Sequence, residues 1–421
     1  MTSEAVPIPT NALEEPTMRV GGSLLATMAL ANLGIMVAFF APLQNLLPRL
    51  AESVSGSGGK ESALAIITGV GVIGAVVGQP ITGALSDRTT SRWGRRRPWL
   101  FGGAVVGAIT ITILPTLTSL FAITLMWLVV QFTVNASYAT LTATIPDQVP
   151  VSQRGVASGL MGLAQTVGVV LGVGLVAFVV TSLTGGFWLT GFLLVLLVLP
   201  FLFRLKDPPL PKADRPPFIW GEFLRGFWVS PKLYPDFAWA WGARFLVSLA
   251  NAIATVYLLF FLKDRVGLDA TAAQESQALL IVLYSLGTIA TAVIGGYLSD
   301  RSGKRKLYVV VASMIMAFGA FLLAAASSLP LAYVAAFILG LGWGWYLAVD
   351  QALITQVLPA ARDRARDLGV INIANSAPQV IAPIIAFVAV KHLGGYPTLY
   401  IVTGLITIVG AAAVWPIKSV R

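Results

Sequence analysis

Apolar residues occupy most of this chain in stretches of roughly 20, and the polar residues that interrupt them come in short, charge-rich knots. Windows of that length mark twelve candidate spans, at 22–46, 63–85, 98–119, 121–143, 155–181, 186–204, 238–262, 276–299, 306–328, 331–357, 368–390 and 397–416. At helical rise, about 20 residues cross a hydrocarbon layer ~30 Å thick. Lipid offers backbone groups no hydrogen-bond partner, so a run that crosses it must satisfy its own N–H and C=O groups as a helix. The pattern therefore predicts an all-α membrane protein with twelve transmembrane helices.

Lys and Arg set the orientation. With the N-terminus in the cytoplasm, about 22 basic residues fall in inside segments and about five outside, leaving Arg244 within a span. The net charge of +10 is thus read as a topology signal, with the lipid bilayer and no nucleic acid as partner. Residues 1–21 are Pro-rich and mildly acidic, without the basic segment and cleavage site of a signal peptide, and read as a cytoplasmic tail. A mean hydropathy of +0.82 exceeds what one soluble core of this length could bury. The sequence has no cysteine and a single histidine, His392, so thiol chemistry and a zinc or histidine cluster are not expected. It has no P-loop either. The chain is accordingly read as no enzyme, with no cofactor and no metal site.

One long cytoplasmic connection, residues 205–237, separates spans 6 and 7 and opens with Pro208, Pro209, Pro211, Pro216 and Pro217, which forbid a continuous helix. Its second half, with Phe218, Trp220, Phe223, Phe227 and Trp228 beside Arg225 and Lys232, predicts a short interfacial helix. The connection divides the chain into a six-helix half at 22–204 and another at 238–421. These halves repeat each other. "GALSDR" at 83–88 matches "GYLSDR" at 296–301, each at the cytoplasmic end of the second span of its half. A weaker echo, at nearly the same spacing, links "DQVPVSQRGVASGLMGLAQT" (147–166) with "TQVLPAARDRARDLGVINIANS" (355–376). Two pseudo-symmetric, parallel halves follow.

The Gly, Leu, Asp and Arg of these loops, with the trailing Gly-Arg-Arg-Arg of residues 94–97, resemble the signature loop of the major facilitator superfamily. Within that family "SDRTTSRWGRRRPW" is most similar to the glycoside-pentoside-hexuronide cation symporters and the sucrose-transporter-like branch. The resemblance runs from about residue 20 to 416 and implies the major facilitator fold. It also implies that these loops latch the two halves in gating, a role carried to Asp87, Arg88 and Arg95 and to Asp300, Arg301 and Arg305. A carboxylate at such a site can face the positive end of a neighbouring helix. Arg92, Arg96 and Arg97 are expected to fix topology alone, and Asp147, beside Pro146, is expected to be interfacial.

Substrate chemistry is expected at the midplane, on the first and fourth spans of each half. Polar side chains there keep helical spacing. Span 4 shows Gln131, Asn135, Tyr138 and Thr142; span 7 shows Arg244, Ser248, Asn251 and Thr255; span 10 shows Trp343, Tyr346 and Asp350. Span 1 contributes Asn32, with Met36 and Phe40 along its face, and Gln165, Asn372, Asn375 and Gln379 are rim candidates on spans 5 and 11. Amides bind sugar hydroxyls in pairs and aromatic rings stack on sugar C–H faces, so the set suits a neutral polyol; interhelical hydrogen bonding is the plainer reading for any single amide. Asp350 and Arg244 are the two charges well inside spans, and intramembrane charges usually mark function. Sucrose-transporter relatives carry an acid where this chain has Gln131, which passes the proton-coupling role to Asp350. Sodium-using sugar symporters of the resembled family keep acids inside span 2, and residues 63–85 hold none, so the resemblance implies that sodium is not the coupling ion.

The expectation is a monomeric secondary active transporter of the cell membrane, both termini cytoplasmic, importing a sugar or glycoside with a proton. A proton-coupled drug or metabolite exporter and a non-transporting membrane sensor are the alternatives.

Overall fold

The computed structural model describes residues 16–215, 221, 231–302, 304–357 and 364–419. Every regular element among them is helical. Ten helices are long and apolar enough to cross a membrane: Gly22–Gly56, Gly58–Asp87, Arg97–Thr116, Leu120–Gln148, Gly159–Val179, Leu183–Arg204, Pro235–Val256, Ala270–Ala292, Arg305–Ala325 and Leu329–Asp350. Two shorter apolar helices, Ala377–His392 and Tyr396–Ala412, occupy the places of spans 11 and 12. Of the interfacial helix expected after Pro217, Gly221 and Lys232 fall within the described residues, Lys232 in a turn before span 7, and the rest lies outside them.

Several helices outrun their apolar windows. Span 1 continues past residue 46 to Gly56, because Leu47, Leu50 and Ala51 keep an apolar face that is buried. The break comes at Gly56, whose φ of 67° belongs to the left-handed region that glycine enters without a Cβ penalty. Within this long helix lies a π-helical turn, Pro42–Leu46. Pro48 follows it and has no N–H to close the usual bond onto the Gln44 carbonyl, and Gln277 Nε2 donates to that oxygen instead, at 2.6 Å. A second π-helical turn, Leu175–Val179, ends span 5.

The chain forms two compact units. The first comprises the chain up to Pro42, Ile73–Leu175 and Val180–Phe218; the second comprises Leu43–Val72, Val176–Val179 and Ile219–Arg421. In the first, span 1 packs on spans 5 and 6, and span 3 on spans 4 and 6. In the second, span 7 packs on 11 and 12, and span 9 on 10 and 12. The pairing order is the same after a shift of six. Small residues make the tightest crossings: a Cβ on Gly78 would lie 2.9 Å from the Phe132 carbonyl oxygen, and one on Gly340 or Gly344 would strike the Tyr284 or Thr288 carbonyl.

Candidate functional site

In the first unit the span 4 stripe meets span 2. Asn135 Nδ2 donates to the Gln131 carbonyl at 2.8 Å and to Gln131 Oε1 at 3.0 Å, and Gln79 Nε2 donates to Asn135 Oδ1 at 2.8 Å. Gln131 and Asn135 are buried; Gln79 and Tyr138 are half-buried. Gln79 was missing from the sequence reading. Its signal was there: a lone amide in an apolar span, directly before Pro80. Asn32 lies elsewhere in this unit, fully buried, with Nδ2 donating to the Met161 carbonyl of span 5 at 2.7 Å. That contact is interhelical.

In the second unit, Arg244 Nη1 stands 2.9 Å from Asp350 Oδ2, with side chains 3% and 5% exposed. Tyr346 sits one turn before Asp350 and donates its hydroxyl to Oδ1 at 3.0 Å. Trp343, half-buried, stacks on Tyr346 with centroids 5.7 Å apart and planes at 19°. Three residues at i, i+3 and i+7 therefore form a ledge of two rings ending in a carboxylate. Asn251 Oδ1 accepts from Tyr284 of span 8 at 2.8 Å. Gln379 is half-buried, and the side chain of Asn375 lies outside the description.

In the arginine loop after span 2 the pairing centres on Arg96, a residue expected only to fix topology. Asp87 is met by Arg96, not by Arg95, which pairs with Asp147 at 2.7 Å. Arg96 also donates through Nε to Asp147 at 2.8 Å and through Nη1 to Ser86 at 2.6 Å. Burial works against the Arg96 charge, yet Asp147 and then Asp87 outweigh it and hold its pKa above the ordinary value. Arg96, set aside as a topology charge, is thus the centre of the knot, and Asp147 is joined to it. The cause is local geometry. Gly94 turns the chain at φ 98° and a helix starts at Arg97, so Arg95 and Arg96 point inward while Arg92 is exposed. Arg88 is half-buried, Arg301 exposed and Arg305 half-buried; the Asp300 side chain lies outside the description.

Asp207, just beyond span 6, accepts from the backbone N–H groups of Arg96 and Arg97, both at 2.7 Å, and so serves the start of span 3 as a helix cap. Asp207→Ala should lower stability by about 1 kcal/mol. Thermal unfolding in detergent checks this, and an unchanged transition would show that the cap contributes nothing.

An all-helical, multi-pass membrane protein with two units of equivalent helix pairing defines the class. The sequence model of the Major Facilitator Superfamily matches residues 20–276 and 243–420, and the chain belongs to that family. Among curated proteins it is 29% identical over 122 residues to the uncharacterized MFS-type transporter YfiU of Bacillus subtilis, covering 29% of this chain and 23% of that one. It is 34% identical over 90 residues to the uncharacterized symporter sll1374 of Synechocystis, covering 18% and 16%. With multidrug resistance protein MdtL of Klebsiella pneumoniae it shares 26% over 157 residues, covering 37% and 40%. The chain thus matches between 16% and 40% of the length of these relatives. Among solved structures, the nucleoside transporter NupG has a TM-score of 0.70 at 14% identity, covering 94% of this chain and 100% of that one. The D-xylose-proton symporter has 0.69 at 17%, covering 95% and 98%. Both likenesses are of fold.

Proposed function

We propose that the protein is a secondary active transporter working by alternating access, which takes up a neutral sugar or glycoside together with a proton. In this reading it acts as a monomer in the cell membrane, with both termini cytoplasmic, and belongs near the glycoside-pentoside-hexuronide and sucrose-transporter-like branch. The observation that carries it is the ring ledge of Trp343 and Tyr346 ending on Asp350 and Arg244. Half-buried Trp343, backed by the fully buried Tyr346, offers a ring face to a sugar's C–H surface, and the acid beside them offers a place for one proton. Taken by itself, the first unit's amide cluster of Gln79, Asn135 and Gln131 carries donors and acceptors of the kind that hydroxyls require. The fold likeness to a D-xylose-proton symporter agrees with this substrate class. Asp87, Arg88, Arg95 and their counterparts Asp300, Arg301 and Arg305 are assigned to gating, with Arg96 now added.

Uptake of a sugar panel into proteoliposomes under an imposed pH gradient tests the reading. Ala at Tyr138, Asn251 or Trp343 should weaken substrate binding about tenfold or more, each loss being worth about 1–3 kcal/mol. The likeness to a multidrug resistance protein supports the exporter as a second reading. Tight binding of lipophilic cations, unaffected by those substitutions, would decide for it.

A further inference from the structure

Trp241 and Phe245, one turn apart on span 7 with Arg244 between them in the chain, stack on each other with centroids 5.3 Å apart and planes at 15°. On span 10, Trp343 and Tyr346 make the other stacked pair of this unit, at 5.7 Å and 19°. The buried ion pair of Arg244 and Asp350 joins the two helices. Trp241 and Trp343 both pack against one apolar cluster, which includes Ala240, Ala243, Val247 and Tyr346. Two nearly parallel ring pairs thus share one backing.

Their exposure sets the span 7 rings apart. A ring that only fills this unit is covered, as Tyr346, Tyr257 and Phe260 are at no more than 1% exposed, and a ring on the outward face is open, as Trp239 is at 46%. Trp241 and Phe245 are neither. Both are half-buried, and at about 100° per residue they lie about 200° and about 240° round the helix from Trp239, on its opposite side. Trp343 is half-buried as well. Polar groups near these rings are already engaged: the Tyr346 hydroxyl is given to Asp350, Asn251 Oδ1 accepts from Tyr284, and the Thr255 hydroxyl turns back on its own helix. Arg244 and Asp350 neutralise each other. What the second unit offers a ligand here is flat, apolar and without net charge.

A sugar's C–H face is served by one ring, and this wall has more. We propose that Trp241 and Phe245, together with Trp343, select a planar aromatic group on the substrate, so that the preferred cargo is an aryl glycoside. Ring on ring, in offset or edge-to-face contact, gains more than the same apolar area without a ring. Trp241 and Phe245 are therefore specificity-determining residues, which decide between aryl and alkyl glycosides. The inference deepens the function proposed above and rests on that reading for the sugar, whereas the ring wall stands on the second unit alone.

Methyl and phenyl β-D-glucoside, galactoside and xyloside, and benzamide as a neutral ring without a sugar, are titrated calorimetrically into the full chain in detergent. Within a pair the phenyl glycoside should bind about tenfold tighter than the methyl one, and Trp241→Leu or Phe245→Leu should each cut that advantage about threefold or more. Trp239→Leu, on the outward face, should leave it unchanged. Each variant is its own reference through the methyl glycoside, so a general loss of fold cannot imitate a selective loss for phenyl. Pairs that bind equally, or an advantage that survives both leucine variants or falls as far in Trp239→Leu, would overturn the inference and leave the sugar reading standing. Benzamide binding that needs Trp241, with no glycoside bound, would uphold the ring selection and sink the sugar reading. Binding by none of the probes would sink both.

Discussion

Asp350→Asn protein, reconstituted into proteoliposomes, should exchange substrate across the bilayer but fail to accumulate it against a gradient. Proton and guanidinium compete for the same carboxylate, because Asp350 lies 2.9 Å from Arg244 in surroundings that almost exclude water. In a coupled cycle, protonation releases Arg244 and deprotonation recaptures it. Asn fixes the released arrangement and still accepts the Tyr346 hydroxyl, so the ring ledge keeps its support. Arg244→Ala should behave differently. It leaves a carboxylate buried without its cation, at a cost of about 3–5 kcal/mol, and should impair stability together with both transport modes. A purely structural pair gives the opposite pattern, with Asp350→Asn losing stability and every transport mode as well. Thermal unfolding measured beside exchange and gradient-driven uptake separates them. A stable Asp350→Asn protein that still concentrates substrate in a pH-dependent way would eliminate Asp350 as the proton site.

Arg96→Ala is expected to have the second large effect. It strips Asp147 and Asp87 of one guanidinium and Ser86 of a donor, at a site where Arg96 itself is only 5% exposed. Asp87 is half in solvent and Asp147 keeps Arg95, so the loss is the charged hydrogen bonds of Arg96 alone, about 1.5–3 kcal/mol. Lys at this position should recover little, since a single ammonium cannot reach three acceptors in different directions. Arg92→Ala, on an exposed side chain of the same loop, should be silent within about 0.5 kcal/mol. Asp87→Asn, half-exposed and still able to accept a hydrogen bond, should reduce transport while leaving membrane insertion intact. If Arg96→Ala and Arg92→Ala unfold at the same temperature, the knot has no centre.

The contrast between these two arginines shows where the sequence stops being legible. Helices could be read from it because apolar runs of this length have one stable form in lipid. The depth of Arg244 and Asp350 could be counted along their spans, but not whether they touch, since the rotation of two separate helices decides that. In "GRRRP" three neighbouring arginines carry the same local information. A positive-φ glycine and a helix start sort them, and only the folded loop shows that Arg95 and Arg96 turn inward and that Arg96 bridges both acids. Amides are ambiguous for another reason. Asn32, Asn135 and Asn251 each hold a neighbouring group, as interhelical glue would, and the stripe they form in sequence looks the same whether it serves packing, substrate or both. Gln79 belonged to the cluster all along, hidden by its isolation in the sequence.

Pro48 and Gln277 stand 229 positions apart, yet one takes a donor away from the Gln44 carbonyl and the other supplies it. A residue other than proline at 48 would bring back a backbone N–H for that oxygen, whose two lone pairs could serve both donors, and Gln277 would keep its bond from Asn45 in any case. Loss of Gln277 alone would leave the oxygen short. The dependence therefore runs one way: position 277 must keep its amide for as long as proline stands at 48, while position 48 is free to change first.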